Sequence, residues 1–286
     1  MSDSANNPIP PATSGVETEA RGYDALYGLF DSPLMRQLRL EAYGEDIGQH
    51  SWVTASELRA DIARLGLSDS SHLLDLGCGP CGPLSFMMAA VGCHGTGTEL
   101  SAPALVVGRT RAISLGLQDS LVLVEADLNE ALPFADESFD AAMSLDVVLH
   151  LRDRAGLFQE VARTLRPQGR FLFTDAGVIT GAISSKEIQQ RSAHGYTQFA
   201  APGFNEQMLE RAGLRLLETE DRTSSVLKNA MGRFKARLAH RAELEGVEGT
   251  TAFEHQQHYL ETVIGLCDRG ALSRVMYLAE PHGEVG

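Results

Sequence analysis

Short apolar segments alternate with amphipathic segments through the middle of the chain, a pattern that is typical of strands alternating with helices. The predicted strands cover residues 72–77, 95–100, 121–126, 139–145 and 169–175. The predicted helices between them cover residues 83–91, 101–116 and 153–166. Strands separated by helices imply a parallel sheet with right-handed crossovers. The sequence therefore predicts a doubly wound α/β fold.

Further patterns flank this alternation on both sides. Residues 1–20 are expected to form a disordered tail, and residues 21–67 are expected to form a helical lid with a loop at 44–52. A turn at Gly169 is expected to end the preceding helix. After Asp175 we expect an insertion, a helix at 204–212, a strand at 214–220, helices near 224–245 and 251–269, and a last strand from Ser273 to Ala279.

Composition narrows the class of protein. With 286 residues and 43% hydrophobic content, the chain can bury one full α/β core plus extra helices. Its net charge of −14 opposes a polyanionic partner, and the most basic stretch, Arg233 to Arg241, has the spacing of a solvated helix face. No apolar run approaches the ~18 residues that span a bilayer, and the polar start lacks the apolar core of a secretion signal. We therefore expect a cytoplasmic protein without a nucleic-acid or membrane partner.

Two residue pairs have spacings that occur in metal sites. Cys78 and Cys81 form a C-x-x-C pair, but the other two cysteines stand alone, so the second pair of such a site is missing. His255 and His258 lie three residues apart on a predicted helix, and no cluster of carboxylates or cysteines supports them as ligands. We expect these histidines at the surface or in a pocket wall, and we expect no metal site.

The run from His72 to Leu84 predicts a site for a nucleotide cofactor. It reads as a buried strand that breaks into a glycine turn at Gly77 and Gly79 and then opens a helix, whose N–H groups face a ligand. The same G-x-G-x-x-G pattern also occurs in dinucleotide-binding enzymes. Glu99 ends the next strand, 22 residues beyond Gly77, where a carboxylate can accept hydrogen bonds from both ribose hydroxyls. Nicotinamide and adenosyl cofactors both fit these features.

A third segment separates these two classes of cofactor. Asp127 ends an apolar strand and is followed by Pro133-Phe134, by Asp-x-x-Phe-Asp at residues 136–140, and by Leu-x-Pro-x-Gly at residues 165–169. Together with the glycine turn and Glu99, this order resembles the class I S-adenosylmethionine-dependent methyltransferases. The resemblance implies a Rossmann-like, doubly wound sheet of seven strands. It also implies that the last two strands lie at one edge and that the final strand is antiparallel.

The resemblance covers about residues 70–180, and the flanks look like the small-molecule branch that includes sarcosine, dimethylglycine and phosphoethanolamine methyltransferases. It implies a core at residues 68–281, with acceptor-pocket insertions at 176–203 and 224–270. The implied cofactor is S-adenosylmethionine, with Asp127 accepting a hydrogen bond from the adenine amino group. The residues implied to bind it are Ser51, Asp75, Gly77, Gly79, Glu99, Leu100, Asp127, Leu128 and Leu145. The chain departs from the family's G-x-G-x-G, since Cys81 takes the third glycine position and Gly82 follows it.

Methyl transfer from a sulfonium requires mainly that the nucleophile is held in line, about 3–3.5 Å away, and that water is excluded. An amine acceptor must also lose a proton, since an alkyl ammonium with a pKa near 10.4 is free base in only about one molecule in ~10³. Asp146 and His150 are four residues apart and share one face if the chain is helical there. The resemblance to phosphoethanolamine methyltransferases implies that His150 deprotonates or orients the acceptor while Asp146 fixes it. Alternatively, His150 only packs against the lid.

Aromatic residues of the expected lid are candidates for contact with the sulfonium or a cationic acceptor through cation–π attraction. Ordinary helix packing is the alternative for each of these residues: Tyr23, Tyr27, Tyr43 and Trp52. Arg152 and Arg154 either bind an acidic group of the acceptor or belong to a normal helix start.

The sequence therefore predicts an S-adenosylmethionine-dependent methyltransferase that acts on a small molecule, with an amine nitrogen as the preferred acceptor atom. The nearest alternative is O- or C-methylation of a natural product or quinone precursor. More distant alternatives are an NAD(P)-dependent oxidoreductase and a binding module that has lost catalysis. We expect a monomer or a homodimer.

Overall fold

One mixed sheet of seven strands organises the computed structural model, which describes residues 27–193 and 195–282. The strands are β1 (His72–Leu76), β2 (His94–Glu99), β3 (Leu121–Glu125), β4 (Phe139–Leu145), β5 (Leu165–Ile179), β6 (Leu214–Asp221) and β7 (Leu272–Pro281). Their order across the sheet is β3-β2-β1-β4-β5-β7-β6. Pairs among β1 to β5 are parallel, and β7 is antiparallel to both of its neighbours. The predicted fold class, including the antiparallel last strand, is confirmed.

The helices lie on both faces of the sheet and over its edge. They are α1 (Pro33–Tyr43), α2 (Ala55–Leu65), α3 (Gly82–Val91), α4 (Ala102–Ser114), α5 (Arg154–Thr164), α6 (Ser185–Arg191), α7 (Phe204–Arg211), α8 (Thr223–Ala239), α9 (Arg241–Glu248) and α10 (Thr250–Asp268). Among the residues with described positions, none of these helices is long and apolar enough to cross a membrane.

Alternating residues of the strands supply two apolar cores, one on each face of the sheet. Leu73 and Leu172 face α2 and α3, whereas Leu74 and Phe173 face α5 and α7. On the second face, the rings of Phe173 and Tyr277 stack with centroids 4.7 Å apart. These cores hold the central strands rigidly. They therefore fix the positions of the loops at the carboxyl ends of those strands.

A further layer of helices covers the carboxyl edge of the sheet. We call α1, α8, α9 and α10 the covering helices. They share one apolar cluster around Leu38, Leu244 and Phe253, and α8 and α10 share another with Trp52. Residues 44–54, which we call the lid loop, connect α1 to α2 and run beneath this layer. A space is thereby enclosed between the sheet and the covering helices.

Two sequence predictions need correction. The expected helix near 224–245 is two helices, because His240 leaves the helical conformation with φ −105° and ψ 27°, and Leu244 then packs with Leu38 and Phe253. The turn at Gly169 does not end α5. That helix ends at Thr164, and the next residue already pairs with Phe139 in β5. The expected tail at residues 1–20 lies outside the described residues, as does Tyr23.

Candidate active site

The glycine turn after β1 is tied to the end of β2 by backbone hydrogen bonds. The N–H groups of Gly77 and Cys78 both donate to the carbonyl of Thr98 at 2.9 Å, and Gly77 has φ 80°, which a residue with a side chain rarely adopts. The N–H of Gly79 donates to Oε2 of Glu99 at 2.9 Å. The N–H of Ser101 donates to Oε1 of the same carboxylate, also at 2.9 Å. Glu99 is therefore held in one orientation at the mouth of the turn.

The position of Gly82 explains the departure from the family's glycine pattern. Cys81 precedes α3 with φ 59°, and Gly82 is the first residue of that helix. A Cβ atom at Gly82 would lie 2.1 Å from the carbonyl oxygen of Gly48 and 2.5 Å from that of Ile47. The lid loop thus runs directly against the start of α3. A glycine is required at the helix start because the backbone of the loop crosses there.

The two cysteines of this turn pack against each other in the interior. Cys78 and Cys81 are buried with sulfur atoms 3.3 Å apart, and they fill space that Gly97 and Gly108 leave open. The hydrogen bond from Cys81, with burial, raises the pKa of Cys78 well above its ordinary value. A thiol of this kind is a poor nucleophile. No cluster of three or more metal-ligating side chains occurs within residues 27–193 and 195–282.

Asp127 follows β3, next to the site of Glu99. The backbone N–H and the side-chain amide of Asn129 donate to Oδ1 of Asp127 at 2.9 and 2.8 Å. Glu99 and Glu125 are register partners on the parallel strands β2 and β3, so Asp127 lies just beyond the same edge of the sheet. Two oriented carboxylates therefore stand side by side at the carboxyl ends of neighbouring strands. Ligands of open parallel sheets bind at this edge.

Asp75 carries a third carboxylate, on β1 beneath the turn. Asp75 is 2% exposed, and in the described chain no basic side chain lies within 4 Å of its carboxylate. Burial, followed by repulsion from Glu99, raises the pKa of Asp75 to about 8. The group is therefore largely protonated at neutral pH. A cationic ligand group beside it would reverse this shift.

Asp146 connects the sheet to the lid loop. Its carboxylate accepts hydrogen bonds from the N–H of Trp52 at 2.9 Å, from Thr174 at 2.8 Å and from Nε of Arg274 at 2.7 Å. Burial raises the pKa of Asp146, but the charge and hydrogen bond of Arg274, together with the hydrogen bonds from Trp52 and Thr174, outweigh burial, so that the net pKa is lowered. The amide of Asn229 donates to the carbonyl of Trp52 at 2.7 Å. The Trp52 peptide is thereby clamped from both sides.

His150 ends a short helical turn, Val148–His150, above β4. Its Nδ1 lies 3.0 Å from the carbonyl of Tyr196, which can only accept, so Nδ1 carries the proton and Nε2 is the basic nitrogen. Burial lowers the pKa of His150, and the ring is neutral at neutral pH. Asp146 has φ 61° and stands before this turn, so the expected sharing of one α-helical face does not occur.

A single cavity of about 1350 Å³ joins all of these groups between the sheet and the covering helices. Ligand cavities commonly measure about 300–1,000 Å³, so this volume admits a second molecule beside a nucleotide-sized one. The predicted site residues in its wall are Tyr27, Tyr43, Ser51, Trp52, Asp75, Gly77, Gly79, Glu99, Leu100, Asp127, Leu128, Leu145, Asp146 and His150. The structure brings these residues together, and their individual roles stay predictions.

Residues 74–173 match the family described as "Methyltransferase domain". These residues form a methyltransferase domain. The resemblance that the sequence motifs predicted is confirmed, since the match runs from β1 into β5 and includes the glycine turn, Glu99 and Asp127.

Similar proteins carry the same domain in different settings. The chain is 29% identical over 253 residues to the glycine/sarcosine/dimethylglycine N-methyltransferase of Actinopolyspora halophila. This alignment covers 88% of the chain and 42% of that protein. The chain is also 26% identical over 246 residues to the 27-O-demethylrifamycin SV methyltransferase of Amycolatopsis mediterranei. This second alignment covers 76% of the chain and 90% of that protein. The chain spans 42%, 58% and 34% of the length of the first three curated relatives.

The fold is also similar to that of a solved enzyme. Phosphoethanolamine N-methyltransferase 2 of Haemonchus contortus, solved with phosphomonomethylethanolamine and S-adenosylhomocysteine, superposes with a TM-score of 0.77 at 19% identity. The superposition covers 96% of this chain and 62% of that protein. At this identity, the likeness establishes a common fold for the methyltransferase domain and the helices around it.

Several arginines of the cavity wall were not predicted from the sequence. Arg191, Arg233 and Arg237 reach the cavity from α6 and α8. Tyr43, a predicted lid residue, also lines the cavity and donates its hydroxyl to the carbonyl of Ser51 at 3.0 Å. The guanidinium of Arg233 lies 5.0 Å from the centroid of the Trp52 ring. The stretch from Arg233 to Arg241, expected to be a solvated helix face, therefore also contributes to the cavity. No local pattern in the sequence marks these arginines.

The two arginines considered for an acidic acceptor group lie elsewhere. Arg154 is buried in an ion pair with Asp175 at 2.8 Å, and Asn205 accepts from the same nitrogen. The Arg152 guanidinium lies 4.7 Å from the centroid of the Tyr196 ring at the surface. Arg154 therefore stabilises the junction of α5, β5 and α7, and it does not line the cavity.

Proposed function

We propose that this chain transfers the methyl group of S-adenosylmethionine to a small-molecule acceptor, with an amine nitrogen as the preferred acceptor atom. The observation that carries the proposal is that Glu99 and Asp127, oriented at the ends of neighbouring strands, line one cavity with the glycine turn. Glu99 would accept hydrogen bonds from the ribose hydroxyls, and Asp127 would accept one from the adenine amino group. The backbone at Leu100 and Leu128 would flank the base.

The third carboxylate, that of Asp75, indicates whether the residues of the cavity fit S-adenosylmethionine. Asp75 is buried at the cavity wall without a basic partner within the described residues, and its pKa is raised to about 8. Such a carboxylate is costly in its ionised form unless a cation compensates it. The amino acid end of S-adenosylmethionine supplies an ammonium group, so the residues present fit. Ser51, on the lid loop, would hold the same end from above.

S-adenosylmethionine supplies an electrophilic methyl group, and the chain's own residues must place the acceptor and exclude water. The lid loop and the covering helices close the cavity above the sheet, and Trp52 is held in that closure by Asp146 and Asn229. We infer that Asp146 acts on the acceptor through this position of Trp52. Tyr27 and Trp52 would present their rings to the positive charge in the site.

His150 is the proposed base. An ammonium acceptor must lose a proton before its nitrogen can act as a nucleophile, and the neutral imidazole presents Nε2 for that proton. The bond from Nδ1 to the Tyr196 carbonyl stabilises the imidazolium that would form. His150 would hold the proton until it passes to solvent.

Labelled methyl transfer tests this proposal. The purified chain is incubated with methyl-labelled S-adenosylmethionine and a metabolite extract, and the labelled products are identified by mass. Labelled amines with an equal amount of S-adenosylhomocysteine are the expected result. Binding of S-adenosylhomocysteine without any labelled product would indicate a module that only binds the cofactor. A thermal shift with NADH but none with S-adenosylhomocysteine would contradict the proposal outright.

A matched pair of variants tests the carboxylate that carries the proposal. Glu99→Gln should weaken S-adenosylhomocysteine binding about 10- to 100-fold, because charge-assisted hydrogen bonds are lost. Glu125→Gln is the control, since Glu125 is exposed, pairs with Glu99 in register and does not line the cavity. Equal affinities of the two variants in calorimetry would show that the ribose lies elsewhere.

O-methylation is the second candidate. It is favoured by the relative whose length the chain nearly spans, which is named for a 27-O-demethyl substrate. A neutral His150 can also accept the proton of a hydroxyl group. Fragmentation of the labelled product separates the two candidates, because N-methyl and O-methyl groups give different fragments.

The expected cytoplasmic location and the expected monomer or homodimer stay predictions.

A further inference from the structure

The pair Cys78 and Cys81 has no part in the proposed methyl transfer. The N–H of Cys81 donates to the carbonyl of Cys78 at 2.9 Å, so residues 78–81 form one tight turn between β1 and α3. The Cα atoms at the two ends of such a turn lie less than about 7 Å apart, and disulfides usually join Cα atoms about 4.4–6.8 Å apart. The backbone of this turn therefore suits a disulfide between its two ends.

The two sulfur atoms already face each other, at a distance of 3.3 Å. Glycines on β2 and α4 leave the space that they occupy. A Cβ atom at Gly97 would lie 2.7 Å from the sulfur of Cys78, and a Cβ atom at Gly108 would lie 2.8 Å from the sulfur of Cys81. A larger residue at either glycine would displace the sulfur atoms. Three separate elements thus place the two thiols in contact.

Cys81 makes this pair a feature of the chain and not of the family's motif. It takes the position of the third glycine in G-x-G-x-G, and it has φ 59°, a conformation that favours glycine. Its side chain makes no capping hydrogen bond to α3. A cysteine therefore strains the backbone there without capping the helix. What it adds is a sulfur atom that packs beside Cys78 and Leu105.

A small oxidant can reach the pair through the cavity. Cys78 lines the cavity wall and is 6% exposed, whereas Cys81 is completely buried behind it. Cys93 and Cys267 are buried in separate apolar clusters and do not line the cavity. An oxidant that enters from the cavity meets Cys78 first. Among the described residues, Cys81 is the thiol in contact with it.

We propose that Cys78 and Cys81 are a redox modification site, in which a peroxide converts the two thiols into a disulfide and thereby weakens cofactor binding at the glycine turn. The Cys78 thiolate attacks one oxygen of hydrogen peroxide, the O–O bond breaks, and the departing hydroxide takes up the proton that Cys78 lost. The sulfur of Cys81 then attacks the sulfenic acid of Cys78. The S–S bond forms, the S–O bond breaks, and hydroxide leaves with the proton of Cys81 as water. Two thiols and one peroxide thus give one disulfide and two waters.

The disulfide would act on the cofactor site through Gly79. A disulfide bond is about 2.05 Å long, so the two sulfur atoms must approach each other by more than about 1 Å. Both lie 3.6 Å from the carbonyl oxygen of Gly79, and the ring of Pro80 fixes one backbone angle of the turn. Because the N–H of Gly79 holds Glu99, a shift of Gly79 should displace that carboxylate. This effect on the cofactor rests on the proposed function, whereas the disulfide itself does not.

Proton loss should control how fast the site is oxidised. The thiolate is the reactive form, and the pKa of Cys78 is raised by its hydrogen bond with Cys81, by burial and by the charges of Asp75 and Glu99. Oxidation by hydrogen peroxide should therefore be slow at neutral pH and should become about tenfold faster per pH unit up to about pH 9. A rate that does not change with pH would show that Cys78 is not the thiol that is attacked.

Mass spectrometry detects the disulfide directly. The purified chain is treated with hydrogen peroxide and digested without reduction. The peptide that contains both cysteines should lose the mass of two hydrogen atoms, and dithiothreitol should restore it. Cys81→Ser, or Cys81→Ala if the serine variant does not fold, should show no such loss. Cys93→Ser is the matched control and should show the loss in full.

Two results of this experiment would overturn the proposal. One is sulfinic or sulfonic acid at Cys78 in place of the disulfide. The other is a pair of unmodified thiols under conditions that fully oxidise the unfolded chain, which would show that the fold protects the pair from oxidation.

Binding of S-adenosylhomocysteine measures the consequence for the cofactor site. In calorimetry, the oxidised chain should bind this ligand about tenfold more weakly than the reduced chain, because a charge-assisted hydrogen bond to Glu99 is weakened. Dithiothreitol should restore the affinity. Equal affinities of the two forms would overturn the link between the pair and the cofactor. A loss that dithiothreitol does not reverse would overturn it as well, since it would come from oxidation elsewhere in the chain.

The same link can be measured from the side of the thiols. Binding and oxidation are coupled reciprocally, so saturating S-adenosylhomocysteine should favour the dithiol tenfold and raise its reduction potential by about 30 mV in glutathione redox buffers. An unchanged potential would contradict the weaker binding of the oxidised form. If the reduced chain did not bind S-adenosylhomocysteine at all, the proposed function would fail, while the disulfide would still be decided by its mass.

Discussion

Asp75, the buried carboxylate of β1, is expected to link cofactor binding to pH. Burial raises the pKa of its carboxyl to about 8, so the free chain holds a proton there at neutral pH. If the ammonium of the cofactor lies beside Asp75, the pKa falls in the complex and the proton is released. We expect the binding of S-adenosylhomocysteine to release up to about one proton at neutral pH, and the affinity to rise as the pH approaches 8.

Calorimetry in buffers of different ionisation enthalpy measures this release. Asp75→Asn should bind with no proton release and with a weaker dependence on pH. The acidic control is Asp119→Asn, because Asp119 is remote from the cavity wall. Proton release of equal size in Asp75→Asn and in the unmodified chain would assign the release to another group.

The same shift predicts how stability depends on pH. The pKa of Asp75 in the folded chain lies above its ordinary value of 3.8, so the folded chain binds more protons than the unfolded chain between these two pH values. The contribution of Asp75 is therefore favourable at low pH and is lost as the pH rises from about 4 to about 8. In thermal unfolding, the Tm of Asp75→Asn relative to the unmodified chain should increase over this window. A constant difference would contradict the raised pKa.

At the scale of elements, the contact between α3 and the lid loop depends on Gly82. A methyl group there would lie 2.1 Å from the Gly48 carbonyl oxygen, and neither partner is a flexible side chain. Gly82→Ala should displace the lid loop, lower the Tm by several degrees and weaken S-adenosylhomocysteine binding more than tenfold, or about 1.4 kcal/mol. Fluorescence of Trp52 on the lid loop reports the displacement, since Trp52 is the one tryptophan of the sequence.

Gly246→Ala is the control for this prediction. Gly246 lies in α9 with nothing within 4 Å of an added Cβ, so alanine there should be neutral or stabilise the helix by up to about 1 kcal/mol. If Gly82→Ala behaved like Gly246→Ala in Tm and in affinity, the close crossing of the lid loop and α3 would be wrong.

An ion pair joins α2 to the start of α8. Arg222 donates to the buried carboxylate of Asp61 at 2.8 Å, and Arg64 lies 3.3 Å from the same carboxylate. Arg222→Met leaves Asp61 buried with only the weaker partner, which should cost about 3 kcal/mol of unfolding free energy. Arg59→Met, which removes an exposed pair with Glu45, should cost less than about 1 kcal/mol. Urea unfolding measures both, and equal losses would contradict the role assigned to Arg222.

The elements could be predicted because their signals are local. Leu73 to Leu76, Gly77 and Glu99 are marked by apolar runs and by the residues that end them, and these features predict the proposed cofactor side of the cavity. The prediction of one helix near 224–245 was wrong because the break at His240 depends on the packing of Leu244 against Leu38, which is far away in the sequence. The helix propensities of the residues in this segment do not predict such a long-range contact.

The acceptor side could not be predicted for a similar reason. Arg274 reaches Asp146 across 128 residues, and no periodicity marks that pairing. Arg191 is distinguished from the other buried arginines by the absence of a carboxylate around it in the described chain, which is a property of the folded arrangement. Motifs thus predicted the proposed cofactor side, whereas the arginines of the opposite cavity wall became visible only in the folded structure.

At the scale of the whole molecule, the site lies between two layers of different character. Beneath it are β1 and β4, buried between two apolar cores, and above it are the covering helices, of which α9 contributes a single buried residue, Leu244. Local opening requires least free energy where few apolar contacts must be broken. We therefore expect amide hydrogen exchange to be fastest in α9 and the lid loop and slowest in β1 and β4.

S-adenosylhomocysteine should change this pattern selectively. Residues 48–52 line the cavity, so exchange in the lid loop should slow more than tenfold when the ligand is bound. Helix α7 is the internal control, because it packs on the far side of β5 and β6 and lines no part of the cavity. Equal slowing in α7 and in the lid loop would indicate general stabilisation, and would mean that the covering layer does not close over the ligand. Selective slowing would show that this layer opens to admit the acceptor while the sheet stays closed.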